Sequence, residues 1–141
     1  MDGPCAIGRI GPDGPWVGFV RADGGYRLAV GMPSGIRSEP ADADLLLAMA
    51  IAYFEDALDD PPPDIEATQA DLSALVRDVA SRAPQAERRH LLDEAVDAID
   101  DGLAVDAVIN CLAAARDPET EEQADPVDLL LSRVEALRAW G

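Results

Sequence analysis

The spacing of apolar residues divides the chain into two regions. Up to about residue 38, short apolar stretches alternate with polar residues and glycine-rich turns, a pattern typical of β-strands. From residue 39 onward, apolar residues recur every three to four positions, as on one face of an α-helix. The pattern predicts one α+β domain over 1–141. A small N-terminal antiparallel hairpin or meander (1–38) packs on a mainly helical bundle of four to five helices (39–141).

The clearest strand signal is a hairpin whose turn contains Asp23, Gly24 and Gly25. Aspartate and glycine accept the positive φ angles that tight turns require, so the flanking apolar stretches at 16–21 and 26–30 are predicted to pair. A further short strand is predicted at 6–10. Because an isolated two-stranded hairpin is only marginally stable, we expect it to pack on the helices or to gain a third strand.

Prolines and capping residues separate five predicted helices. The first covers about 41–58 and is apolar on nearly all sides between Leu45 and Phe54, which predicts a position in the centre of the bundle. The apolar stripes of the next four helices begin at Ile65, Leu91, Val105 and Val127. The residues predicted to mark helix ends are Pro40 in the first turn of the first helix, Asp64 as N-cap of the second, Pro84 before the third, Gly102 as its C-cap, Asp117-Pro118 after the fourth, and Asp125 with Pro126 at the start of the fifth.

The composition excludes many enzyme classes. The chain contains no lysine, and its 11 basic residues are all arginines. A phosphate-binding P-loop and a Schiff-base enzyme both require a lysine. There is a single histidine, no C-x-x-C pair between Cys5 and Cys111, and no G-x-S-x-G turn. The sequence therefore assigns no catalytic residue, no metal ligand set and no cofactor.

The lysine-free composition has two explanations that need no special function. A GC-rich genome favours arginine, alanine, glycine, proline and aspartate, all of which are abundant here. A saline habitat favours acidic surfaces that are poor in lysine, because salt screens their repulsion. The sequence leaves both open, beside a functional origin of the acidity.

Several features predict a soluble cytoplasmic protein. No basic segment followed by an apolar run opens the chain, so no signal peptide is expected. The longest apolar run covers only 45–54, well short of the ~20 residues that span a bilayer. Two unpaired cysteines are consistent with a reducing compartment.

One cluster of polar residues on the third predicted helix is a candidate site. Its members are spaced by three and four positions, so they form a single stripe opposite the apolar face. His90 and Glu94 could supply two ligands of a divalent metal, or Glu94 could tune His90 as an acid or base; the alternative is a solvated outer face. Trp140 near the C-terminus is a further candidate anchor for a partner. The predicted binding residues are Glu87, His90, Glu94, Asp97, Asp101 and Trp140.

The net charge of −17 decides which partners are expected. Nucleic-acid phosphates and anionic membranes are repelled, whereas a basic protein surface is attracted. The leading hypothesis is a non-catalytic protein-binding module, such as an inhibitor, an immunity or antitoxin-like protein, or an adaptor. The alternatives are a nucleic-acid mimic that blocks a DNA- or RNA-binding protein, a small metal-dependent Asp/Glu/His enzyme, and a structural subunit whose acidity reflects only its host.

Overall fold

The N-terminal part of the chain is a four-stranded antiparallel sheet. The computed structural model describes residues 4–11, 14–22, 25–32, 35–56, 58–83, 85–102, 105–115 and 126–139. Within these residues the strands follow the order β1-β2-β3-β4 and precede five α-helices, which confirms the α+β fold. The strands are β1 (Cys5–Arg9), β2 (Trp16–Ala22), β3 (Gly25–Met32) and β4 (Gly35–Pro40).

The helical part begins directly after the sheet. A short 3₁₀ helix (Pro63–Ile65) separates the first two α-helices. Among the described residues, no helix is both long and apolar enough to cross a membrane. The α-helices are α1 (Ala43–Glu55), α2 (Gln69–Arg82), α3 (Ala86–Asp100), α4 (Val105–Ala115) and α5 (Pro126–Ala139).

The core lies between one face of the sheet and the helices. Val17 and Phe19 on β2, with Leu28 and Val30 on β3, are buried in the same apolar cluster as side chains of the five helices. Helix α1 is the central element, because eight consecutive residues from Leu45 onward are buried and it contacts α2, α4, α5 and β1. The predicted central position of this apolar helix agrees with the structure.

Strand β4 was not predicted from the sequence. Pro40 was expected in the first helical turn, and that expectation is wrong, since Pro40 is the last residue of β4. An edge strand tolerates proline because one side of its backbone forms no sheet hydrogen bonds. Helix α1 is capped instead by Asp42, whose carboxylate accepts a hydrogen bond from the Leu45 N–H at 2.8 Å.

The start of α2 also differs from the prediction. Asp64 was expected to cap this helix, but it lies in the 3₁₀ helix, and Ile65 therefore lies outside α2. The cap is Thr68, whose hydroxyl accepts from the Asp71 N–H at 3.2 Å. The Asp71 carboxylate accepts from the Thr68 N–H at 2.9 Å, which completes a capping box.

The remaining helix ends follow the prediction more closely. Helix α1 ends at Glu55, three residues before the predicted position, because Asp56 adopts a left-handed conformation with φ of 56°. Gly102 has φ of 69° directly after the C-cap Asp101, and Pro126 is the first residue of α5. Val105 was predicted to face the core but is 44% exposed, because it occupies the first position of α4. The predicted markers Pro84, Asp117-Pro118 and Asp125 lie outside the described residues.

The segment 59–67 covers the outer edge of β1. Asp59 and Arg9 exchange two backbone hydrogen bonds of 2.8 and 3.0 Å. Further along, the Ala67 N–H donates to the Ala6 carbonyl at 2.8 Å. These bonds satisfy backbone groups of β1 that an exposed sheet edge would leave unpaired.

Candidate functional site: the acidic face of α3

The exposed carboxylates of α3 form a continuous surface that we call the acidic face. Five predicted site residues, Glu87, His90, Glu94, Asp97 and Asp101, all lie exposed on α3 or its C-cap, as their spacing indicated. The opposite side of the helix is buried between α2 and α4. The acidic face comprises Glu87, Asp93, Glu94, Asp97, Asp100 and Asp101.

Two of these carboxylates, Asp93 and Asp100, were missed in the sequence analysis. They lie beside the predicted stripe, seven residues apart, so that two turns of helix bring them to the same side of α3. The signal was therefore present in the sequence. Both lie three or four residues from Asp97, so the predicted stripe through Glu94, Asp97 and Asp101 followed only one of two rows that have this spacing.

His90 and Glu94 form an ion pair on the helix surface. The distance from His90 Nε2 to Glu94 Oε1 is 3.2 Å, and the side chains are 74% and 53% exposed. An exposed pair of this kind contributes little to stability and is charged only when the histidine is protonated. Among the described residues, no group of three or more His, Cys, Asp or Glu side chains is placed to hold a metal ion.

The two arginines of α3 are directed away from the acidic face. Arg88 Nη2 lies 2.7 Å from Asp44 Oδ1 on α1, and both side chains are more than four-fifths buried, with 18% and 17% exposed. Arg89 Nη2 donates to the Ala83 carbonyl at 2.8 Å. Both cations are therefore engaged elsewhere. No pattern in the sequence indicates the Arg88–Asp44 contact, because it joins residues 44 positions apart.

Asp100 connects the acidic face to α2. Its carboxylate accepts a hydrogen bond from the buried Ser73 hydroxyl at 2.8 Å and lies 3.1 Å from Arg77 Nη2. Within the described part of the chain, Arg77 is the one arginine that pairs with a carboxylate of this face. Glu87, Asp93, Asp97 and Asp101 form no ion pair with any described residue.

The order of charges along α3 opposes the helix dipole. Arg88 and Arg89 lie in the first turn, where the partial charge of the helix end is positive, and the last turn contains no basic residue. Asp97, Asp100 and Asp101 are instead placed at the end where the partial charge is negative. Glu87 lies in the first turn and is favoured by the dipole, so only the C-terminal part of the acidic face opposes it.

Cys111 on α4 lies close to this surface but is not an activated thiol. Burial raises the pKa of the Cys111 thiol above its usual value, and the nearby charge of Glu94 raises it further. A raised pKa keeps the side chain in its thiol form at neutral pH, and only the thiolate is a strong nucleophile. Cys111 therefore has a packing role beside the acidic face.

The structure leaves one predicted site residue undefined, since Trp140 lies outside the described residues. Comparison with protein-family models, curated proteins and solved structures finds nothing that matches this chain. Its chemistry is therefore inferred from the acidic face itself.

Proposed function

We propose that the chain is a non-catalytic binding module whose acidic face docks on a basic surface of a partner protein. An inhibitor, an immunity or antitoxin-like protein and an adaptor all fit this description. The observation that supports the proposal is that Asp97 and Asp101, at the C-terminal end of α3, oppose the helix dipole and form no ion pair with a described residue.

This arrangement lowers the stability of the free protein. A carboxylate in the last turn of a helix costs roughly 0.3–1 kcal/mol when exposed. The like-charge pairs Asp93–Asp97 and Asp97–Asp101 are each four residues apart and cost about 0.2–0.5 kcal/mol. Lysine or arginine side chains of a partner would offset both the unfavourable interaction with the helix dipole and the like-charge repulsion. Binding would therefore remove a destabilising interaction that is present in the free protein.

The carboxylates of the acidic face are also ready for contact. Glu87, Asp93, Asp97 and Asp101 are exposed and form no ion pair with a described residue, so a partner displaces none. The net charge of −17 attracts a basic protein over a distance and accelerates association. Such binding weakens as salt screens the charges.

The test compares two variants that each remove three carboxylates. One carries Asp93→Asn, Asp97→Asn and Asp101→Asn on the acidic face. The matched control carries Glu55→Gln, Asp60→Asn and Asp128→Asn, which are exposed on other elements. Each protein is immobilised and exposed to nuclease-treated lysate of the native host at low and high salt. Captured proteins are identified by mass spectrometry, and their dissociation constants are measured after purification.

We expect the wild type and the control to capture the same basic protein at low salt only. The acidic-face variant should bind that protein at least about tenfold more weakly, equivalent to about 1.4 kcal/mol. Equal weakening in both variants would show that overall charge, not this face, drives binding. Competition by a short DNA duplex for the captured protein would instead support the nucleic-acid mimic.

A further inference from the structure

Among the described residues, no strand pairs with the outer edge of β4. The Ala41 N–H donates to the Tyr26 carbonyl at 3.4 Å. In the same register of β3 and β4, Glu39 lies opposite Leu28 and Arg37 lies opposite Val30. Bonding direction alternates along an antiparallel strand, so these odd-numbered residues direct their backbone groups toward β3. Ile36 and Ser38 therefore direct their N–H and carbonyl groups outward.

Among the described residues, only one side chain reaches this edge. Arg27 Nη2 donates to the Ser38 carbonyl at 3.3 Å, and Arg27 Nε donates to the Ser38 hydroxyl at 3.2 Å. A carbonyl oxygen accepts two hydrogen bonds, so this contact leaves it able to accept another. Ile36 beside it is 59% exposed, an unusual position for a large apolar side chain. Edges of this kind readily pair with another strand.

A second copy of β4 complements this edge. In an antiparallel arrangement with Ser38 opposite Ser38, the two serines exchange a pair of backbone hydrogen bonds. Each Ile36 N–H then meets the Pro40 carbonyl of the other copy, a bond for which proline needs no N–H. The same register places each Arg37 opposite Glu39 of the other copy, so that two pairs of opposite charge face each other.

The charges around β4 also favour a second copy. Helix α5 packs against β4, and Arg37 Nη1 lies 3.5 Å from the Leu137 carbonyl of that helix. Basic and acidic side chains balance here, in contrast to the net charge of −17 of the chain. The charged residues of these two elements therefore add no net repulsion between two copies. The balanced residues of β4 and α5 are Arg37, Arg133 and Arg138 against Glu39, Asp128 and Glu135.

We infer that this chain self-associates through antiparallel pairing of β4 with β4 of a second copy, which joins two four-stranded sheets into one of eight strands. One strand pair is a small interface, so the association is weak and depends on concentration. It strengthens with salt, because screening reduces the repulsion between two acidic chains. Partner binding through the acidic face has the opposite salt dependence.

The test uses sedimentation velocity on the full chain over a range of concentrations at 0.1 M and 1 M NaCl. Arg37→Glu places two acidic side chains opposite each other, and Glu39→Arg places two basic ones, so each variant alone should sediment as a monomer. An equimolar mixture of the two should regain the dimer, because opposite charges then face each other at both positions. This recovery also shows that both variants are folded.

Ser38→Pro provides an independent check, because it removes an outward N–H but no backbone hydrogen bond to β3. The hydroxyl that accepts from Arg27 Nε is also lost, but this contact is exposed. We expect it to abolish the dimer while the thermal unfolding temperature of the monomer stays close to that of wild type. The inference is overturned if the wild type remains monomeric at every concentration and salt level. It is equally overturned if the two single-charge variants, or Ser38→Pro, dimerise like the wild type.

Discussion

At the scale of single residues, two glycines of the sheet differ in what surrounds them. These surroundings decide how much stability is lost when glycine is replaced by alanine. A Cβ atom at Gly18 would overlap the Cys5 carbonyl of the neighbouring strand. A Cβ atom at Gly31 would overlap the indole ring of Trp16. The first neighbour is backbone held in the β1–β2 ladder, whereas the second is a side chain that can rotate away. Of these two glycines, only Gly18 is therefore required for the close approach of its neighbouring strand.

We predict that Gly18→Ala lowers the free energy of unfolding by about 2–3 kcal/mol, as expected when added atoms push well-packed groups apart. Gly31→Ala should cost about 1 kcal/mol or less, because the Trp16 ring can move. Urea denaturation measures the free energy of unfolding of both variants relative to wild type. As a control, Gly31→Ala should cost almost nothing further in a Trp16→Ala background. Equal losses for the two glycines would contradict this explanation.

At the scale of elements, the carboxylates of α3 lower the stability of the free protein and, in the proposed function, favour binding of a partner. The double substitution Asp97→Asn and Asp101→Asn removes two like-charge pairs, Asp93–Asp97 and Asp97–Asp101, and two carboxylates that oppose the helix dipole. We predict that it raises the free energy of unfolding by about 1 kcal/mol in low salt. The same carboxylates belong to the proposed binding surface, so stability would rise while partner affinity falls.

Urea denaturation in low salt tests this, with Asp71→Asn as the matched control. Asp71 is also an acidic residue on a helix, but its carboxylate completes the capping box of α2. Its neutralisation should lower stability by about 0.5–1 kcal/mol. A loss of stability in the α3 variant would show that the acidic face stabilises the free fold after all, and would remove the main support for the proposed binding role.

The same elements show what the sequence could and could not predict. The helices were recognisable because their apolar stripes repeat over several turns, and α1 because its apolar residues form a continuous run. Strand β4 has no such signal, since Arg37, Ser38, Glu39 and Pro40 give no apolar alternation. It forms because β3 offers it a partner, which is information from the tertiary structure. The cap of α2 was predictable, since Thr68 and Asp71 have the spacing of a capping box.

For the candidate site too, one part could be predicted from the sequence and another could not. The exposed stripe on α3 follows from local spacing, and four of the six carboxylates of the acidic face were predicted from it. Whether its charge is compensated depends on contacts between distant parts of the chain. Arg88 turns inward to Asp44, and Arg77 reaches only Asp100. Sequence periodicity shows which side of a helix a residue occupies, but not which other element meets it.

At the scale of the whole molecule, charge is unevenly distributed. The acidic face carries six carboxylates and pairs with one arginine of the described residues, whereas β4 and α5 together are balanced. The excess negative charge of the chain repels itself in the folded state, and this repulsion is reduced when salt screens it. Stability should therefore depend on ionic strength, whichever of the proposed surfaces is used.

We predict that the thermal unfolding temperature rises by several degrees between 0.01 M and 1 M NaCl, as the Debye length falls from about 30 Å to about 3 Å. The rise should level off near 1 M, because neighbouring charges are then screened. Sodium chloride is preferred to sulfate, which also stabilises proteins by exclusion from their surface. Differential scanning calorimetry at low protein concentration, where the chain is monomeric, gives the temperatures.

The matched comparison is a variant with six neutralised carboxylates, combining the acidic-face set (residues 93, 97 and 101) with the control set (residues 55, 60 and 128). Repulsion grows roughly with the square of the net charge, so this variant should show about half of the salt-dependent rise. An unchanged rise would mean that salt acts on the hydrophobic core and not on the surface charge. A rise that continues well beyond 1 M in the wild type would instead favour a saline habitat as the origin of the acidity, because simple screening is complete by then.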